Sequence, residues 1–102
     1  MAGIRFEWDE AKNLVNQRKH GVSFEVASRV FLDPLSISVK DRIEHGEERW
    51  RTYGEVEGIV LLMVAHTVYE KDEHGGTIEV IRIISARQAS RKERQRYEEE
   101  NG

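Results

Sequence analysis

Between Arg82 and Tyr97 the chain carries six cations, Arg82, Arg87, Arg91, Lys92, Arg94 and Arg96, and one acid, Glu93. That stretch holds a charge of +5 in a chain of net charge −3, so the remainder carries about −8. A positive patch set into an acidic chain points to a polyanion, and RNA or DNA is the commonest. Metal-free RNA cleavage would use such residues. A base removes the 2′-hydroxyl proton, cations stabilise the crowded phosphorane, and an acid protonates the leaving 5′ oxygen. Preorganised cations usually supply the largest part, and each acid–base group adds about 10²–10⁴-fold.

Arginine suits the cation role because its planar fork meets two phosphate oxygens. Arg87 ends a strand just before a helix, where free N–H groups also favour anions. Its bland alternative is a surface arginine paired with a glutamate. Arg91, Arg94 and Tyr97 recur at i, i+3 and i+6. Tyr97 either moves a proton, stacks on a base or tucks into the core. Lys92 and Arg96 fall on another helix face and offer general attraction to RNA. Arg82 lies inside an apolar strand, so it must point outward or meet a carboxylate such as Glu79 or Glu7. His66 is either an acid–base group of near-neutral pKa or a hydrogen-bonded sheet histidine. Lys19 is a further RNA-binding candidate, although Lys19-His20 also suits a helix C-terminus electrostatically. His45 and His74 read as solvated loop residues. The catalytic candidates are therefore Arg87, Arg91, Tyr97, His66 and Arg82, with Arg94, Lys92, Arg96 and Lys19 as RNA contacts.

The elements that must position these residues follow from periodicity. Phe6 and Trp8 alternate with polar neighbours in a short strand. Asp9 caps a helix whose Ala11, Leu14, Val15 and Arg18 form a stripe toward the core, and Gly21 ends it. Ser23 caps a second helix with Phe24, Ala27, Val30 and Phe31 facing inward, stopped by Asp33-Pro34. Strands follow at Ile37–Val39, Arg49–Val56, Ile59–Tyr69 and Thr77–Ala86, with loops at 41–48 and 71–76. The third of these, apolar on both faces, belongs at the centre of the sheet. Ser90-x-x-Glu93 is a capping box for the last helix. The order β-α-α-β-β-β-β-α predicts an α+β fold, an antiparallel meander with helices on one face. The last helix lacks an apolar stripe, so a partner or neighbouring strands beneath Ala89 and Tyr97 must hold it. The acidic end Glu98–Gly102 is expected to fray.

At 102 residues one domain over 1–102 is expected. The absence of cysteine removes disulfides and thiolate metal sites and fits a cytoplasmic protein. No segment approaches the roughly 18 apolar residues of a membrane span, and the start Met1-Ala2-Gly3-Ile4-Arg5 lacks a signal-peptide core. With no phosphate loop, carboxylate triad or metal-spaced histidines, no metal and no cofactor are expected.

Several words along the chain resemble one family. Phe6-Glu7-Trp8-Asp9, Lys12, Asn16 and Lys19-His20-Gly21-Val22-Ser23-Phe24-Glu25 are similar to the N-terminal signature of BrnT-type toxins. Phe31-Leu32-Asp33-Pro34, Gly46-Glu47-Glu48-Arg49, His66-Thr67, Arg82-Ile83-Ile84-Ser85-Ala86-Arg87, Glu93-Arg94 and Tyr97 continue it in order. The resemblance implies a RelE-like fold and a metal-independent endoribonuclease toxin that arrests translation. It also implies a BrnA-type antitoxin, in a 2:2 assembly, that contacts operator DNA on the complex's behalf. One departure stands out. Related sequences often carry arginine two positions after His-Thr, where this chain has Tyr69, and Arg82 is the candidate replacement. Against the ribonuclease stands a binding-only module using the basic C-terminal helix, or a chain that folds stably only with its partner.

Overall fold

A run apolar on both faces belongs inside a sheet, and β4 (Val60–Glu73) lies there. The computed structural model describes residues 3–102 and places β4 third in a five-stranded sheet of order β1-β5-β4-β3-β2. The others are β1 (Gly3–Glu7), β2 (Ile37–Glu44), β3 (Glu47–Val56) and β5 (Gly76–Gln88). Helices α1 (Glu10–His20), α2 (Phe24–Ser28) and α3 (Arg91–Asn101), with a 3-10 turn at Arg29–Leu32, complete an α+β fold in the expected order. Met1 and Ala2 of the start discussed above lie outside the described residues. No helix among those described is long and apolar enough to cross a membrane.

From β2 to β5 the strands pair antiparallel, as a meander should. β1 is the exception: it joins β5 in parallel, Gly3 opposite Ile78 through Glu7 opposite Arg82, so the sheet is mixed. The whole fold separates these two strands in sequence, so no hairpin dictates their direction. The expected loops at 41–48 and 71–76 are instead mostly strand, closing in tight turns at His45-Gly46 and His74-Gly75. In both turns φ is 53° at histidine and 79° at glycine. Two successive positive φ values match the twist of the strands they join.

One sheet face carries the core. Phe24, Ala27 and Val30 pack against Val56, Leu62, Val64, Ile81, Ile83 and Ala86. Burying each large side chain among them contributes about 1.5–3 kcal/mol. The α2 stripe is thus as expected, and Ser23 caps it by accepting from Val26 N–H at 3.1 Å. The 3-10 turn comes so near β3 that a Cβ on Gly54 would stand 2.9 Å from the Val30 carbonyl oxygen. Only glycine fits there.

Helix α1 reverses the sequence expectation. Leu14 and Val15 are 48% and 58% exposed, whereas Asn13 and Asn16 are buried. The reason lies in the sheet edge. Beyond Arg82, β1 no longer covers β5. There Asn16 donates to the Ala86 carbonyl at 2.8 Å and accepts from the Ala86 N–H at 3.2 Å, taking a strand's place. Its amide also donates to the Val22 carbonyl at 2.9 Å. Asn13 accepts from Phe24 N–H at 2.8 Å and donates to Glu25 at 2.9 Å. An apolar residue could satisfy none of these groups.

Helix α3 sits on the opposite sheet face, so the helices do not share one side. Its capping box forms as expected, with Ser90 and Glu93 each accepting from the other's N–H. Polar clips hold it: Tyr97 donates to Asp33 at 2.6 Å, and Tyr53 to Glu93 at 3.4 Å. Ala89 N–H reaches the Leu61 carbonyl at 2.9 Å. Asn101 donates to the Leu35 carbonyl at 3.1 Å, so the acidic end stays helical rather than fraying. The chain's own strands and loop position this helix, which answers the question its missing apolar stripe raised.

Urea denaturation checks the role of the asparagines. Asn16→Leu should cost about 2–4 kcal/mol, because it strands the buried N–H and carbonyl of Ala86. Leu14→Ser should stay within about 0.5 kcal/mol. The reverse ranking would return α1 to the apolar-stripe description.

Candidate nucleic-acid interface

Strand alternation assigns the second sheet face. Cross-strand register lines up Ile37, Tyr53, Met63 and Arg87 in one row, then Val39, Arg51, Ala65 and Ser85 in the next. A third row holds Arg42, Arg49, Thr67 and Arg82, with Glu7 beyond. Five arginines from three strands thus share the face that α3 partly covers. A cleft there is lined by Arg49, Arg51, Arg87, Ser85, Ala65 and Asp41, among others.

Two β-bulges create this convergence. In β5, Ser85 and Ile83 oppose the adjacent residues Ala65 and His66, leaving Ile84 unpaired. Arg82 and Arg87 are five apart and would otherwise point to opposite faces; the extra residue brings them to the same one. In β2, Lys40 and Arg42 oppose Trp50 and Arg49, leaving Asp41 as the extra residue. Lys40 stays on the core face near Trp50, 5.9 Å from its ring, while Arg42 crosses to the arginine face.

Arg87 is held at the cleft by Glu93. Its two terminal nitrogens donate to the two Glu93 oxygens at 2.8 and 3.0 Å, and it also reaches the Gln88 carbonyl at 3.1 Å. This bidentate bond, chiefly, drives the Glu93 carboxyl down to about 2 despite opposing burial. The same carboxylate accepts from Ser90 N–H at 2.8 Å. A single acid therefore caps α3, aims Arg87 and accepts from Tyr53. Arg51 leans on Asp41, with Nε 3.3 Å from the carboxylate.

Other sequence-predicted residues go elsewhere. His66 lies in the strand beneath the cleft, but its ring turns to the core face, edge-on to Phe31 at 5.0 Å. Its Nε2 meets Thr52 Oγ1 at 2.7 Å, and Thr52 meets Ser38 at 2.8 Å. Burial holds its pKa below the ordinary value, with the Thr67 carbonyl opposing. His66 and Arg82 therefore sit on opposite faces, although they are neighbours in the meander. Tyr97 is buried, and burial first, then the Asp33 bond, pushes its hydroxyl pKa upward. Burial acts to raise Asp33 as well, but bonds from Tyr97, Glu55 N–H and Leu35 N–H together hold its carboxyl below the usual range.

Arg91, Lys92, Arg94 and Arg96 are exposed on α3. Arg96 pairs with Glu100 at 3.1 Å. Lys92 and Arg96 border a small pocket with Ile37, Tyr53 and Tyr97. Lys19 is exposed on α1, in a groove with Lys12, Val15, Ile84 and Ser85. Arg49 and Arg51 escaped the sequence reading. Their signal was alternation: Arg49, Arg51 and Tyr53 occupy every second position of one strand. Arg82 lies opposite Thr67, one step diagonally from Tyr69 on the same face.

The chain is thus a small α+β domain with a cationic sheet face. More specifically, the chain belongs to the BrnT family, because residues 8–93 match the family described as "Ribonuclease toxin, BrnT, of type II toxin-antitoxin system". The fold is similar to the crystal structure of the Brucella abortus ribonuclease toxin BrnT, with TM-score 0.57 and 24% identity over 89% of this chain and 99% of that one. No curated protein sequence matches the chain.

The Arg87–Glu93 pair carries a pH signature. The Glu93 carboxyl titrates near 4.5 when unfolded and near 2 when folded. The unfolded chain thus binds the proton first as pH falls, and the pair's stabilisation, complete above 4.5, is lost toward 2. Urea midpoints measured from pH 6 to 2 should fall less steeply below 4.5 for Glu93→Gln than for the unchanged chain. Parallel curves would remove Glu93 from the linkage.

Proposed function

We propose that the arginine face is the active surface of a metal-independent endoribonuclease that inhibits translation. The observation that carries this reading is the convergence of Arg49, Arg51, Arg82 and Arg87 on one sheet face in a chain of a ribonuclease-toxin family. Among the described residues, no group of three or more His, Asp or Glu side chains is placed to hold a metal ion. Catalysis here rests on cations: Arg87 and Arg51 hold the scissile phosphate and stabilise its extra negative charge. The bidentate grip of Glu93 on Arg87 has the geometry a phosphate would take, so substrate competes with Glu93 for the guanidinium. Asp41, beside Arg51 at the rim, accepts the 2′-hydroxyl proton as the 2′ oxygen bonds to phosphorus, and the 5′ oxygen leaves with a proton from water.

In this scheme Arg82, Arg91 and Arg94 contact neighbouring phosphates, while Lys92, Arg96 and Lys19 add long-range attraction. His66 and Tyr97 act through position, His66 by bracing β3 against β4 and Tyr97 by fixing α3. The target is mRNA or ribosome-associated RNA. Residues 1–102 work as one RelE-like domain in the cytoplasm. A BrnA-type antitoxin neutralises the chain in a 2:2 assembly and alone contacts operator DNA.

The occupation of Arg87 by Glu93 also favours a second reading, a binding module in which this pair is purely structural. Cleavage of RNA in the presence of EDTA separates the two. Arg87→Ala and Arg51→Ala should each lower the single-turnover rate by about 10²-fold or more, with His66→Asn affected far less, and saturating antitoxin should stop cleavage. If the unchanged protein leaves RNA intact with and without ribosomes, the binding module stands.

A further inference from the structure

Two buried side-chain polar atoms among the described residues have no hydrogen-bond partner: Arg49 Nε and Thr67 Oγ1. They are not scattered. Arg49 and Thr67 are opposite each other in register, both on the arginine face, and Arg82 flanks Thr67 on its other side. Thr67 is only 3% exposed. Native proteins rarely leave a buried hydroxyl unpaired, because the stranded donor keeps its full desolvation penalty. When such an atom lies between two arginines, an anion is the group that would satisfy all three.

We propose that Arg49, Thr67 and Arg82 form a second phosphate subsite, for the phosphate next to the one held by Arg51 and Arg87. This rests on the ribonuclease reading above. Thr67 and Ala65 are two residues apart on β4, so the rows lie about 6.6 Å apart by strand rise. A single-stranded polynucleotide therefore runs along the strand direction, its next phosphate lying one row beyond Arg51.

The local charges suit an anion. Arg82 is exposed and makes no ion pair among the described residues. The acid nearest Arg49 is Glu47, at 3.9 Å. Glu7, opposite Arg82 in register, already accepts from Tyr69 at 2.8 Å. Arg42 ends the row and leans on Glu44 at 2.9 Å. Arginine side chains are long enough to swing over an incoming phosphate, and doing so uncovers the hydroxyl they flank.

Thr67→Val tests this, because valine keeps the shape and deletes the donor. The probe is a 2′-O-methyl hexanucleotide, which binds without being cleaved. Thr67→Val should bind it about tenfold more weakly, while the free protein melts at the same temperature or higher. Cleavage of a dinucleotide, which has a single phosphate, should be unchanged. Thr67→Ser should bind like the unchanged protein, and Arg82→Gln should reduce the salt slope of binding by about one.

If Thr67→Val binds the hexanucleotide as tightly as the unchanged protein, the subsite is wrong, while a cleavage defect in Arg87→Ala keeps the ribonuclease reading intact. A clear fall in the melting temperature of Thr67→Val would likewise overturn the subsite, since it assigns the hydroxyl a structural partner. If the unchanged protein neither binds the hexanucleotide nor cleaves RNA, the subsite and the ribonuclease reading fall together.

Discussion

One extra residue in β5 decides where the charge of this chain goes. Ile84 has no partner across the strand pair, and that gap shifts everything after it by one position. Before it, Ile81 and Ile83 face the core and Arg82 faces outward; after it, Ala86 faces the core and Ser85 and Arg87 face outward. Without the bulge, either Arg87 would enter the apolar layer or Arg82 would, at a cost of several kcal/mol for an unpaired buried charge. The same stretch leaves Ala86 at an uncovered edge, where Asn16 of α1 closes it. The apolar core and the shared face of Arg82 and Arg87 therefore depend on this one irregularity.

Glu93 links that strand to the last helix. Its carboxylate fastens Arg87, accepts from Ser90 N–H and receives the Tyr53 hydroxyl. In the proposed function, this keeps the cation that meets phosphate rigid and neutralised until RNA arrives. Such a site binds substrate less tightly than a bare arginine would, but wastes little freedom when substrate arrives. Asp41 holds Arg51 in a looser version of the same arrangement.

Much of the fold was legible because it obeys periodicity. The α2 stripe, the central β4 and the Ser90–Glu93 capping box are all local patterns, and each is present. The α1 face was not legible, since the residues it buries are asparagines that serve a distant backbone edge. The parallel placement of β1 was equally non-local. For the site, the charge density of the last quarter pointed to Arg82 and Arg87, yet nothing in Ile83-Ile84-Ser85 announces a bulge. Arg49 and Arg51 were visible as alternating positions but carry no local excess of charge. His66 has the residue type of an acid–base group and borders the cleft, but the face its strand presents turns its ring toward the core.

The central claim is that RNA lies on the sheet face rather than along the outer surface of α3. Arginine side-chain NMR, titrating ¹⁵N-labelled protein with a 2′-deoxy-substituted RNA that resists cleavage, tests it directly. The account predicts that the Nε signals of Arg49, Arg51 and Arg87 shift most, with the His66 ring unmoved. Shifts confined to Arg91, Arg94 and Arg96, with the sheet arginines unchanged, would contradict it.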